Sequence, residues 1–201
     1  MSYQQVLDFW FGDERPYTVS NVEARQSLWF GGRAEDDAEI EARFGSLVER
    51  AKLNQLGDWN QSLHGKLAQV IVLDQFTRVI FRGTAQAFAS DAQALALASS
   101  VVDSGEHRSL HVVERVFLLL PFEHAEDVHM QYHSVALFGE CCGDVEEMFK
   151  AHTNSSLEYA VQHRDIVVRF GRFPHRNAVL GRASSSDERA YLEAGAPSFG
   201  Q

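Results

Sequence analysis

Cysteine, proline and long apolar runs are all scarce in this chain, and each scarcity removes a class of protein. The two cysteines, Cys141 and Cys142, are neighbours. A bridge between them would close a strained eight-membered ring, so a disulfide-stapled secreted fold is excluded and a reducing cytoplasm is expected. The apolar runs Val70–Leu73 and Val116–Leu120 fall far short of the roughly 18 residues a membrane span needs. The opening MSYQQVLDFWFGDE has no basic n-region, apolar h-region or small-residue cleavage site, so no secretory signal is read there. Basic charge is also short, with 18 Lys+Arg against 28 Asp+Glu and a net charge of −10. That balance argues against a general nucleic-acid binder. Also missing are a glycine-rich phosphate loop, a nucleophile elbow, a paired-cysteine zinc motif and a dinucleotide fingerprint, so no cofactor is assigned.

What is present reads as helix throughout. There are only four prolines, β-branched runs are few, and apolar residues recur at a spacing of 3.6. The pattern predicts helices over Val6–Phe11 (with Pro16 barring its continuation), Val22–Phe30, Asp36–Leu56 and Leu63–Phe81. Further helices are expected from Ser90 or Asp91 to Asp103, over Leu110–Leu120 with a stop at Pro121, and from about Glu123 to Cys142. Asp144–Ala151, Leu157–Gly171 and Asp187–Ala194 complete the set, the last opened by a Ser185/Glu188 capping box. With no fixed-period repeat, low-complexity tract or linker, residues 1–201 are expected to form one all-α domain with a short tail after about 195. A chain this long can bury about 70% of its unfolded surface.

Two features stand out against this background. In His163–Arg182, five arginines (Arg164, Arg169, Arg172, Arg176, Arg182) face a single acid, Asp165. A local excess of that size in an acidic chain calls for a partner, either internal carboxylates or an anionic ligand. Asp165 with Arg169 and Asp74 with Arg78 stand at i, i+4 and could pair. The helix Leu63–Phe81 is apolar almost all round, yet Asp74, Gln75, Arg78 and Arg82 share one narrow stripe. A nearly encircling apolar surface implies burial, so the stripe is expected to face the interior.

Histidines supply the remaining candidates. His124, Asp127 and Gln131 fall at i, i+3, i+7, so an imidazole could be oriented by Asp127, or by Glu126, for general acid–base work. The bland alternative makes Glu123, Glu126 and Asp127 first-turn acids of a helix. The same residue types could begin a metal site, but no metal motif is complete and none is assigned. Glu126, His129 and His133 form a second face, read as solvated. His163 shares a side with Val167 and Phe170 and fits a core histidine. His175, in the loop PHRNAVLGR with Asn177, has no core periodicity to explain it and is the strongest single candidate for chemistry.

The segments LDQFTRVIFRGT (Leu73–Thr84), PFEHAEDVHMQ (Pro121–Gln131) and RFGRFPHRNAVLGR (Arg169–Arg182) together resemble the bacterial family known as domain of unknown function 924. The likeness starts at VLDFWFG and reaches the last helix. It implies stacked antiparallel helical hairpins of tetratricopeptide-like architecture, and no settled activity. Where the family reads Asp-Gln-Phe-Pro-Arg-Asn, this chain has Asp74-Gln75-Phe76-Thr77-Arg78-Val79, and Ala125 replaces a usual serine. Two functional readings follow. One is a pocket for an anionic, phosphate- or carboxylate-bearing small molecule, held by Asp74, Gln75, Arg78, Arg82, Gln131, His163, Arg169, Arg172, Arg176 and Asn177, with His124, Asp127 and His175 as the acid–base groups. The other is a helical-hairpin module that binds acidic peptides. A homodimer is expected on general frequency alone.

Overall fold

A computed structural model describes residues 1–13, 17–143 and 145–200. Pro16 and the start expected at Asp144 lie outside the described residues. All regular elements among the described residues are helical. They are α1 Tyr3–Phe11, α2 Val19–Phe30, α3 Ala34–Lys52, and α4, which begins as Leu63–Val70 and runs on to Ile80. Then come α5 Asp91–Asp103, α6 Val112–Glu123, α7 Val128–Gly143, α8 Lys150–Phe170 and α9 Ser186–Glu193. Short 3-10 turns at Gly57–Gln61, Ala85–Phe88, Glu106–Ser109, Glu147–Phe149 and Pro174–Arg176 connect them.

Helices α4 and α6 form the centre. α4 packs against α1, α3, α5 and α6, while α6 packs against α5, α7 and α8 as well. Every residue of α6 is buried, as an apolar surface running all round the helix requires. An aromatic cluster fills the space beside them: Trp10 meets Phe76 and Phe117 at 5.5 Å between ring centres, with Phe44 4.7 Å from Phe76. The hairpin of α7 and α8 packs along one flank. No helix is long and apolar enough to cross a membrane among the described residues. Cys141 and Cys142 are both free thiols.

Several boundaries differ from the sequence expectation, and three of them bear on the site. Pro121 does not stop α6, which continues to Glu123. In the last turn the proline removes only one donor, and packing on every side holds the backbone helical. The acids Glu123, Glu126 and Asp127 therefore do not share a first turn: Glu123 ends α6, and Asp127 caps α7 through Met130 N at 2.9 Å. The stretch HTNSS, read as an interruption, lies inside α8. Thr153 and Ser156 there bond back to carbonyls of the preceding turn, Ser156 to His152 O at 3.0 Å, and so join the helix instead of breaking it.

The most consequential local feature is in α4. Its middle, Ile71–Phe76, widens into a π-helical segment whose six residues are all buried. Such bulges often occur at functional sites. This one carries Asp74 and Gln75, the start of the polar stripe.

Candidate functional site

The stripe opens on a cleft of about 740 Å³ between α2, the second half of α4, the end of α6 and the first half of α8. That volume suits a small molecule. Gln75 and Arg78 of α4, Glu123 at the end of α6, its cap residue His124 and His163 of α8 line its inner end. Arg82 lies nearer the mouth, its side chain 36% exposed. Trp29, Val116 and Leu120 give apolar walls, and three exposed hydrophobic residues, Phe30, Met148 and Tyr159, stand around the rim. The polar residues of the α8 stretch, His152, Ser155 and Ser156, form one side.

Behind this inner end sits a charge network. Asp74 has no exposed surface and accepts hydrogen bonds from Gln75 Nε2 at 2.6 Å and from His124 Nδ1 at 2.8 Å. Arg78 lies 3.4 Å from the same carboxylate and binds Asp91 with both terminal nitrogens, at 2.9 and 3.1 Å. Burial would raise the Asp74 carboxyl, but Arg78 and then His124 outweigh it and hold it well below the carboxylate range. His124 is pushed down, first by burial and then by Arg78, against the pull of Asp74. It is therefore a neutral imidazole whose Nδ1–H points at Asp74, which leaves the Nε2 lone pair available.

Glu123 is the odd member. It is 4% exposed, and its Oε2 has no hydrogen-bond partner. Burial, with a contribution from Asp74, lifts its carboxyl to about 8 against the opposing effect of Arg78. His163 Nδ1 donates to Tyr159 O at 2.8 Å and lies 3.2 Å from Glu123 Oε1. Burial and then His124 drive His163 down to about 3. The contact with Glu123 is thus between two neutral groups, not an ion pair. A ring nitrogen of His124, one of His163 and a Glu123 oxygen lie within 4.8 Å of one another.

The chain's own C-terminal segment reaches into this space. Phe199 stacks on His163 with ring centres 3.8 Å apart, and Gly200 O accepts from Arg82 Nη1 at 2.5 Å. The other terminal nitrogen of Arg82 holds Asp37 at 3.2 Å.

Of the sequence candidates, Gln75, Arg78, Arg82, His124 and His163 line the cleft, with Asp74 directly behind them. The others sit elsewhere. Arg176 bonds His124 O at 3.1 Å and approaches Asp91 at 3.4 Å, while its guanidinium covers Phe173. Arg172 is forked onto Glu188 at 2.7 and 2.9 Å. Arg182 is forked onto Glu126 at 2.5 and 2.9 Å and also holds Asn177 Oδ1. Arg169 stacks on Phe170 and Tyr191 instead of pairing with Asp165, whose partner is Arg164 at 2.7 Å. Gln131 Nε2 closes the end of α6 through Glu123 O and Ala125 O. His175 packs between Phe173 and Phe199, and burial, reinforced by Arg176, lowers it to about 4. The orienting partner of His124 is Asp74, fifty residues away, where the sequence pattern suggests Asp127 or Glu126.

Glu123, Asp91, Tyr159 and Phe199 are the members sequence reasoning missed. The available signal was a lone acid closing the otherwise apolar run VFLLLPFE.

Residues 6–196 match the family model described as "Bacterial protein of unknown function (DUF924)". A solved structure, that of the protein of unknown function ATU0120 from Agrobacterium tumefaciens, is similar at 34% identity and a TM-score of 0.79. The match covers 96% of this chain and 97% of that one. No curated protein matches. The chain belongs to the DUF924 family.

Proposed function

We propose that this member of the family binds a small molecule in the cleft, with an anionic carboxylate or phosphate end at Arg82 and its reacting end at the inner polar group. The observation that carries this reading is the C-terminal segment itself. An aromatic ring lies against His163, and a carbonyl oxygen sits on Arg82. A ring-bearing carboxylate would present the same two features with a stronger, charge-assisted contact at the guanidinium. Arg78 is not the anion clamp, because Asp74 and Asp91 already take up its charge.

At the inner end the chemistry is proton transfer. His124, neutral and aimed by Asp74, is the base. Glu123, kept protonated by burial up to about 8, is the acid. Groups whose environments hold one as acceptor and the other as donor near neutral pH are suited to paired acid–base work.

The test is a thermal-shift panel of aromatic carboxylates and organic phosphates in EDTA. A ligand present at a hundred times its dissociation constant adds about 2.7 kcal/mol of stability. The expected result is a shift that Arg82→Ala removes and Arg172→Ala leaves intact. A panel without any shift, or a shift indifferent to Arg82, overturns the reading.

The identity of the occupant supports one further reading. Because a peptide segment, Phe199 and Gly200, forms part of the cleft's lining, the terminus of a partner protein, with an acidic or free-carboxylate end, could replace it. The hairpin array would then be a peptide-binding module. A short peptide ending in Phe-Gly, titrated against protein lacking residues 196–201, separates the two.

A further inference from the structure

We infer that the inner end of the cleft is a site for one divalent transition-metal cation of the zinc class, ligated by Glu123, His124 and His163. The inference rests on reading this end as the reacting end of the cleft. It changes the chemistry there from a proton donor–acceptor pair to a Lewis-acid centre.

Three observations carry it. The first is the donor set. Two imidazoles and a carboxylate offer atoms within 4.8 Å of one another, and this combination leaves a coordination position open, as in catalytic zinc sites. At zinc–ligand distances of about 2.1 Å, ligand atoms stand roughly 3.4 Å apart. The widest pair in the set therefore closes by up to about 1.4 Å on loading.

The second observation is that one imidazole, His124, is already held from behind. Asp74 accepts from His124 Nδ1 at 2.8 Å, whereas His163 Nδ1, bonded to the Tyr159 carbonyl at 2.8 Å, is itself the nitrogen 3.2 Å from Glu123 Oε1. A carboxylate or carbonyl on one ring nitrogen fixes the tautomer and presents the other nitrogen's lone pair, the usual support of a metal-bound histidine.

The third is Glu123 Oε2. It is a buried oxygen without any partner in a residue only 4% exposed. A buried acceptor left unmatched costs stability, and a cation would satisfy it.

Charge also balances in the cation's favour. Arg78 and Arg176 bring two positive charges to the surroundings, Asp74 and Asp91 cancel them, and an ionised Glu123 leaves the site one negative charge in excess. Of the other imidazoles, His129 is exposed on α7 and His133 packs against Phe122, while His152 and His175 stand nearer the cleft, each with a buried ring nitrogen that has no partner.

The experiment starts from EDTA-stripped, full-length protein and titrates Zn²⁺ by calorimetry. One equivalent should bind. Glu123→Gln and His163→Gln should each weaken binding at least about tenfold, while the double variant His129→Gln/His133→Gln should leave it unchanged. Co²⁺ added to the unaltered protein should give the strong visible bands of a four- or five-coordinate ion, a result that needs no variant to fold. Absence of Zn²⁺ binding, binding untouched by Glu123→Gln and His163→Gln, or only the weak bands of hydrated Co²⁺ would each overturn the metal site. The ligand panel run in EDTA is scored separately. A shift there with no metal binding keeps the cleft and removes the cation, whereas no shift and no metal removes both.

Discussion

The arginine-rich strap of residues 171–185 and the inner end of the cleft make different use of charged groups. In the strap, Arg172, Arg176 and Arg182 each meet a carboxylate, although Arg176 Nε and His175 Nδ1 are buried without a partner, and the strap fastens α9 and the end of α8 across the α6–α7 turn. At the cleft, Glu123 Oε2 is unmatched, and His124 Nε2 has no hydrogen bond among the described residues. Matched charges hold a fold together, and unmatched buried groups cost stability. They are tolerated where the protein needs them for something else. The most conspicuous charges in the sequence therefore mark a clasp. The candidate chemistry lies with an acid and two histidines that look ordinary in the chain.

The contrast can be broken or sharpened by experiment, beginning with the largest effect. Arg176 is 5% exposed and spans the two regions, bonding His124 O and approaching Asp91. Arg176→Ala should cost about 3–5 kcal/mol in urea unfolding, since it leaves the His124 carbonyl without its donor and empties the space between Phe88 and Phe173. A loss below about 1 kcal/mol would show that the strap is not a clasp.

The acid side of the stability curve comes next. His163 is pushed down to about 3 by burial, below its unfolded value near 6.5. The unfolded chain takes up this proton first. The contribution is therefore complete above pH 6.5 and drains away as pH falls from there toward 3. Burial this deep makes it on the order of 3 kcal/mol. Guanidine melts from pH 7 to 4 should show the loss, and His163→Gln should flatten it.

Glu123 has the opposite sign. Its folded value of about 8 lies above the unfolded one near 4.3. The folded state keeps a proton that the unfolded chain releases, and stability falls as pH rises through that window. In EDTA, Glu123→Gln should gain roughly 3 kcal/mol of stability on the parent between pH 5 and pH 8. A stability difference that is the same at both pH values would refute the buried neutral acid.

The smallest stability effect belongs to Arg82, whose side chain is 36% exposed and whose pair with Asp37 is a surface one. Arg82→Ala should change stability by less than about 1 kcal/mol while abolishing the ligand shift. Equal ligand shifts in Arg82→Ala and the parent would mean that cleft and strap do not differ in the way described.

Much of the fold was legible. Apolar spacing placed the long helices because a helix buries one face at a period of 3.6, and the Ser185/Glu188 box announced α9 correctly. Misreadings came where tertiary packing overruled local preference, at Pro121 and in HTNSS. The latter fell between two expected helices, and serine, threonine and asparagine do favour turns in isolation. The candidate site was half legible. The polar stripe Asp74, Gln75, Arg78 and Arg82 stood out as the exception on an apolar helix. Glu123 did not, since an acid near a presumed helix start needs no explanation.

By itself, then, the sequence determined that this protein is a bundle of helices, which of their faces turn inward, and that the polar residues Asp74, Gln75 and Arg78 of one stripe are buried among them, although Arg82 of the same stripe is exposed. Those are properties of neighbours three or four residues apart, and local geometry settles them. Only the tertiary structure decided that His124 answers to Asp74 and that Glu123 and His163 meet. It also decided that the arginines are spoken for and that the C-terminal segment lies in the cleft. Partners separated by dozens of residues leave no periodic trace, so their pairing is set by how the helices pack and cannot be read along the chain.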